Sequence, residues 1–219
     1  MATAGLARKR VAVGARIERR DGAPATRKRA TTAAAAGVPA PAPARRHGLP
    51  PVLAPDTRVL VLGSFPGEAS LSAQAYYAHP RNHFWPIVGA LLGEPLAGLP
   101  YSERLARLLV SRIGLWDTIV ACERRGSLDG AIRNAERGDV ARVRRTAPAL
   151  AAVAFNGKMA ARTAAAWQAA GYATIALPST SPAYTLPLAT KLAAWRALLP
   201  WLEPVGVSGL QRASAPRGP

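Results

Sequence analysis

The run Arg58-Val59-Leu60-Val61-Leu62, closed by Gly63, limits the fold more than any other stretch of the chain. It is continuously apolar and branched, with no polar residue at alternate positions. Such a run is buried on both faces, which is the condition of an inner strand in a parallel sheet. Parallel neighbours need long, usually helical, crossovers, and the chain supplies them. Phe84 to Leu92 and Tyr101 to Ile113 have helical spacing, and Leu115 to Val120 reads as a second strand. Asp139 to Thr146 is a short basic helix that stops before Pro148, and Leu150 to Phe155 is a third strand. Lys158 to Ala170 is an Ala-rich helix, and Tyr172 to Leu177 a fourth strand. The last element, Leu188 to Trp201, puts Leu188, Leu192, Trp195 and Leu199 on one face and Lys191 and Arg196 elsewhere, as an amphipathic helix does. Strands alternating with helices predict an α/β three-layer sandwich around a central, mostly parallel four-stranded sheet.

The sandwich does not need the whole chain. Residues 1–50 carry eleven Lys and Arg against two acidic residues, +9 of the +17 carried by all 219 residues. They are rich in Ala, Pro and Thr and poor in bulky apolar side chains, so they are expected to form a disordered basic tail. The α/β domain is expected over 51–204, with a second disordered tail at 205–219. The remaining +8 falls on the folded part, and a basic body attracts polyanions, nucleic acid above all. Cys122 is the only cysteine, which excludes an intramolecular disulfide and a four-cysteine metal site. No apolar run approaches the roughly 20 residues that cross a bilayer. A soluble cytoplasmic monomer without membrane contact is expected, and the Arg-rich start is also compatible with an organellar or nuclear address.

In sheets of this kind ligands sit beyond the carboxyl ends of the strands. The loops there are Gly63-Ser64-Phe65-Pro66-Gly67, Asp117 to Ser127, Asn156-Gly157 and Ser179-Thr180-Ser181-Pro182-Ala183. The first is a Gly/Pro turn without the Lys of a phosphate loop or the Ser-centred pattern of a nucleophile elbow. It is followed by Tyr76-Tyr77-Ala78-His79-Pro80-Arg81-Asn82-His83-Phe84-Trp85, where aromatics and one amide suit a flat polar ligand such as a nucleobase. His79 and His83 are four apart, but Pro80 breaks a helix between them and no carboxylate or cysteine is near in sequence, so no metal is expected. No cofactor is expected either.

These four loops, in order at strand ends, resemble the uracil-DNA glycosylase superfamily over roughly Arg58 to Trp201. The run Tyr77 to Trp85 resembles its mismatch-specific uracil/thymine branch. Together with Gly63 to Gly67, Cys122-Glu123-Arg124-Arg125-Gly126-Ser127-Leu128-Asp129 and Ser179 to Ala183, the pattern is most similar to the hypoxanthine (deoxyinosine) DNA glycosylases. Two positions depart from the superfamily. Ser64 and Phe65 stand where most members carry an acid or amide that positions water, and Ser179 stands where a His or Asn commonly stabilises the departing base.

The resemblance implies a monofunctional glycosylase that flips a deaminated base, hypoxanthine first, out of DNA and hydrolyses its N-glycosidic bond to start base excision repair. It implies that Asn82 orients the water, although Asn82 is equally a helix cap. Tyr77 would stack on the base and Phe65 form the opposite wall, both being open to plain core packing. Asp117, as an acceptor, would take the ring N–H of hypoxanthine, with backbone N–H groups at Ser64 or Phe65 serving the carbonyl. The other reading of Asp117 is an ion pair with Arg124 or Arg125. Gly63, Pro66, Gly67, His79 and Asn156 complete the substrate pocket. Ser179, Thr180, Ser181, Pro182, Ala183, Tyr184 and Lys191, with Arg124 and Arg125, would meet the DNA. Two other readings compete: a uracil or mismatch-type glycosylase, and a catalytically silent lesion-binding protein. A small-molecule nucleoside enzyme in the same crevice is a third.

Overall fold

The computed structural model describes residues 44–202. The expected 205–219 tail and nearly all of the 1–50 tail lie outside that range. The elements run β1 (Arg45–His47), β2 (Val59–Gly63), α1 (Glu68–Ala73), α2 (Phe84–Leu92), α3 (Tyr101–Val110), β3 (Ile113–Asp117), β4 (Ile119–Glu123) and β5 (Arg133–Arg137). They continue with α4 (Val140–Thr146), β6 (Ala152–Asn156), α5 (Lys158–Ala161), α6 (Ala164–Ala169), β7 (Ala173–Leu177), α7 (Leu188–Trp195) and α8 (Leu199–Leu202).

The central sheet has the order β3-β2-β6-β7, and all three of its pairings are parallel. Alternate residues of β2 feed two cores. Val59 and Val61 pack with Phe84, Ile87, Val88, Leu108 and Trp195, from α2, α3 and α7. Leu60 and Leu62 pack on the other face with Trp116, Val143, Phe155 and Trp167. Every residue of β2, β3 and β6 is buried, which is why these strands read as unbroken apolar runs. The free edge of β3 is covered by Val52, which exchanges both backbone hydrogen bonds with Leu115 at 2.9 Å. No helix among the described residues is long and apolar enough to cross a membrane.

Four local expectations are corrected. The apolar stretch Leu115 to Val120 is two strands, because Thr118 and Ile119 donate to the carbonyls of Gly63 and Ser64 (2.9 and 3.0 Å) and turn the chain out of the main sheet. There β4 forms a second, antiparallel sheet with β1 and β5. Consequently Arg45–His47 is a strand, although it lies before the expected domain start at 51. The Lys158 to Ala170 helix is broken at Arg162-Thr163, where i→i−3 bonds replace the α pattern and the Thr163 hydroxyl donates to the Ala160 carbonyl at 2.9 Å.

The last helix also departs from its pattern. Its buried residues are Lys191, Trp195 and Leu198, while Leu188 and Leu199 are exposed. A 3-10 turn at Arg196–Leu198 takes Leu199 off that face, and within α7 Lys191 is drawn inward by the Tyr184 carbonyl.

Gly89 in α2 lets the Glu94-Leu96 segment lie against the helix: a Cβ there would stand 2.5 Å from the Glu94 carbonyl oxygen and 3.2 Å from the Leu96 nitrogen. Gly98 faces open space. Gly89→Ala is therefore expected to lower the unfolding free energy by about 2 kcal/mol, despite the better helix propensity of Ala. Gly98→Ala should leave it within about 0.5 kcal/mol. Denaturant titration of the two variants checks the contrast.

Candidate active site at the strand ends

The parallel register brings the carboxyl ends of the strands level. Gly63 pairs with Asp117, and Asn156 pairs with Leu177. The Asp117 side chain folds over Gly63 so closely that any Cβ on Gly63 would collide with Oδ1, which explains the glycine at this strand end. Asp117 is 5% exposed, and its Oδ2 has no hydrogen-bond partner. Among the described residues it makes no ion pair. Arg124 is nearby, but its guanidinium donates to the Pro66 carbonyl and lies over the Phe65 ring. Burial pushes the Asp117 carboxyl up to about 7; Asp129 adds to the rise and Arg124 opposes it.

Tyr77 stands above this carboxyl. One face of its ring stacks on Phe84 (centroids 3.9 Å, planes 17° apart), and its buried hydroxyl has no hydrogen bond of proper geometry. Burial and Asp117 raise the phenol above its usual range, while Asn156 acts in the opposite direction. Asn156 is tied to the last-strand loop by two bonds: Thr180 N–H donates to Oδ1 and Asn156 Nδ2 donates to Thr180 Oγ1, both at 2.8 Å. The Thr180 carbonyl then accepts the His83 N–H at 3.0 Å. That bond fixes the segment carrying Asn82. Asn82 Oδ1 accepts the N–H of Phe84, the first residue of α2, at 3.0 Å, so the amide satisfies the first N–H of the helix from one residue ahead of its N-cap, His83, whose own side chain makes no capping bond. Gly63, Tyr77, Asp117, Asn156 and Thr180 are thus linked around one set of strand ends, with Asn82 bonded into their margin.

Other expected residues turn out to hold the framework. Phe65 is 6% exposed and packs with Ile119 and Cys122 under Arg124, so its ring is core rather than an open wall. Ser64 donates to Asp129 Oδ1 at 2.7 Å. His79 Nδ1 accepts the Arg81 N–H at 3.1 Å, within its own turn rather than across the pocket. Among the described residues, no group of three or more His, Cys, Asp or Glu side chains can hold a metal ion.

In the last loop Ser179 Oγ accepts the Ser181 N–H and Ser181 Oγ accepts the Ala183 N–H, both at 3.2 Å, while Ala183 and Tyr184 are exposed. Lys191 is fully buried; it donates to the Tyr184 carbonyl at 2.6 Å and lies 5.3 Å from the centre of that ring. Burial lowers its pKa. As placed, Lys191 is a strut under the Ser179–Tyr184 loop and not a surface charge for a phosphate. Arg124, 1% exposed, is likewise not a surface phosphate contact.

Sequence reasoning missed a clasp. Arg124 bonds the Pro66 carbonyl, Ser127 Oγ accepts the Glu68 N–H at 2.9 Å, and Asp129 accepts from Ser64, so one loop grips the 63–68 turn at three points. The only signal was that both segments lie after strands, since partners about sixty residues apart leave no local pattern.

The carboxyl of Asp117 also sets a pH dependence. Its folded value, about 7, is above the ordinary value of 3.8 for the group, so between the two the native protein holds a proton that the unfolded chain has released. The stability this contributes is complete below the unfolded value and is lost as pH rises through about 7. Asp117→Asn imitates the neutral form. Its unfolding midpoint should match that of the wild type below about pH 4, exceed it increasingly as pH rises from there to about 7, and keep a constant lead above that, as thermal melts at a series of pH values will show.

Residues 50–203 match the family model described as "Uracil DNA glycosylase superfamily". The chain is 37% identical over 151 residues to a hypoxanthine DNA glycosylase of Methanosarcina barkeri, covering 69% of this chain and 96% of the relative. It is 39% identical over 138 residues to a hypoxanthine DNA glycosylase of Methanosarcina acetivorans, covering 63% and 87%. A solution NMR structure of a candidate uracil DNA glycosylase from Methanosarcina acetivorans is also similar, with a TM-score of 0.66 and 35% identity over 73% of this chain and 99% of that one. With the parallel sheet and the four strand-end loops in the same frame, this chain belongs to the uracil-DNA glycosylase superfamily.

Proposed function

We propose that this DNA glycosylase, a hydrolase of N-glycosyl bonds, removes hypoxanthine from deoxyinosine in DNA and so opens base excision repair. The observation that carries the reading is Asp117, a buried carboxyl at a strand end with no ion pair among the described residues and no hydrogen bond on Oδ2. A deaminated purine presents a ring N–H beside a carbonyl, and a carboxyl oxygen accepts that N–H. The names of the two Methanosarcina relatives support the same substrate.

Breaking the glycosidic bond develops positive charge on the sugar and negative charge on the leaving base, and a water must be placed against the sugar. Inside a duplex the bond is out of reach, so the nucleotide is flipped into the pocket, with its base on the free face of Tyr77. Asn82 orients the water. Its Oδ1 has two lone pairs and spends one on Phe84, which leaves the second and the amide hydrogens for this task. An amide does not abstract a proton as a carboxylate does, so departure of the base leads and water capture follows. The exposed end of the Ser179–Tyr184 loop meets the DNA backbone, with Ala183 or Tyr184 filling the gap left by the flipped nucleotide. The reaction is monofunctional, since a lyase needs an activated amine. Lys191 is committed to its loop, and Lys158 is exposed at the start of α5.

Duplexes containing inosine, uracil, xanthine or a thymine mismatch, followed by alkaline cleavage at abasic sites, test the assignment. The expected order places inosine first; tight binding without strand breaks on any lesion would make the protein a silent binder. For Asn82 a plain alanine also removes the cap, at a cost of about 1 kcal/mol. Asn82→Ser keeps a capping oxygen and removes the amide. It should retain the wild-type melting midpoint while excision falls by about a hundredfold, and near-normal excision by this variant removes Asn82 from the mechanism.

A further inference from the structure

Among the described residues, the buried side-chain atoms without a hydrogen-bond partner include Tyr77 Oη and Asp117 Oδ2, beside Arg58 Nε, His83 Nδ1 and Arg124 Nε and Nη1. The Tyr77 and Asp117 side chains meet at one point: Asp117 Oδ1 lies against Gly63, and a Cβ built on Gly63 would stand 3.4 Å from Tyr77 Oη. Folded proteins rarely leave such groups unpaired, because each keeps its full desolvation cost. The nearby donors make no hydrogen bond of proper geometry to Tyr77 Oη or Asp117 Oδ2: Asn156 Nδ2 spends one of its hydrogens on Thr180 Oγ1, the Arg124 guanidinium bonds Pro66 through Nη2 while its Nε and Nη1 stay unpaired, and the Ser64 hydroxyl bonds Asp129.

Tyr77 also has a φ of 56°, a left-handed backbone that bulky residues seldom adopt and that marks positions held by their surroundings. The surroundings are visible: the ring is pinned on Phe84 with the hydroxyl sealed, yet the residue as a whole is only half-buried. What remains open is therefore the part of Tyr77 turned away from Phe84.

We propose that the Tyr77 hydroxyl, and not only the face of its ring, reads the extruded base. It donates to the base carbonyl that adjoins the ring N–H accepted by Asp117, so the pair selects lactam bases over bases with an amino group beside a bare ring nitrogen. This rests on the glycosylase reading above and deepens it. Stacking alone is sequence-tolerant, since every base has a π face. A buried donor that only a carbonyl satisfies is selective, because a base without that carbonyl leaves it unpaired. The unsatisfied pair is then a preformed half of a recognition contact, with the free-energy cost carried by the empty protein.

Tyr77→Phe keeps the ring and its stack on Phe84 and removes the hydroxyl. Excision of hypoxanthine from an inosine duplex is expected to fall by about tenfold, while the thermal midpoint stays level or rises because a buried orphan is gone. Free hypoxanthine should raise the midpoint of the wild type more than that of the variant. This opposition between activity and stability is what a merely structural hydroxyl would not produce. Wild-type excision by Tyr77→Phe, or lost excision together with a lowered midpoint, overturns the inference while leaving the glycosylase reading intact. A wild-type chain that excises none of the lactam bases overturns the reading itself.

Discussion

The contact between the Asp117 carboxyl and the bare Cα of Gly63 is the constraint around which the strand ends are built. It requires β2 and β3 to be parallel and in register, and it requires a glycine where β2 stops. It also buries a carboxyl that forms no ion pair among the described residues, which is costly unless the group is neutral or awaits a partner. The loop from Arg124 to Asp129 keeps the 63–68 turn from relaxing away, and the Asn156–Thr180 exchange does the same for the opposite side. Rigid surroundings of this kind are how a fold sustains an unfavourable local arrangement for function.

The inner strands and α2 were legible in the sequence because their burial is expressed locally. A branched run that is buried on both faces cannot hide, and Phe84 to Leu92 is bounded by a capping amide and a C-terminal glycine. What stayed hidden was set by distant atoms. Nothing between Leu115 and Val120 marks a break, since the turn is imposed by carbonyls of Gly63 and Ser64. All five residues of β5 are exposed, so that strand exists by pairing with β4 and has no apolar alternation to betray it. Lys191 was misplaced because a lysine is ordinarily solvated, whereas here the Tyr184 carbonyl gives its ammonium a partner inside.

The site divides in the same way. Gly63, Tyr77, Asp117, Asn156 and Thr180 could be named because each closes or follows a strand or begins the aromatic run, and the topology then has little choice about where they meet. Phe65, Ser64 and His79 occupy equally suggestive positions, but their side chains are spent on Arg124, Asp129 and the Arg81 N–H. Position after a strand identifies the neighbourhood of a site. Which groups remain unspent is decided by long-range bonding, and that requires coordinates.

Strand β1 bears on how the protein is to be divided experimentally. It covers one edge of β4, and its own Arg46 pairs with Glu68 at the start of α1. The match to the family begins at residue 50, so a truncation drawn from sequence likeness alone would discard Arg45–His47. The remaining chain would expose the backbone donors and acceptors of β4, an open edge that invites pairing between molecules. Aggregation of such a shortened chain would report a cut through a sheet, not a defect of the glycosylase domain.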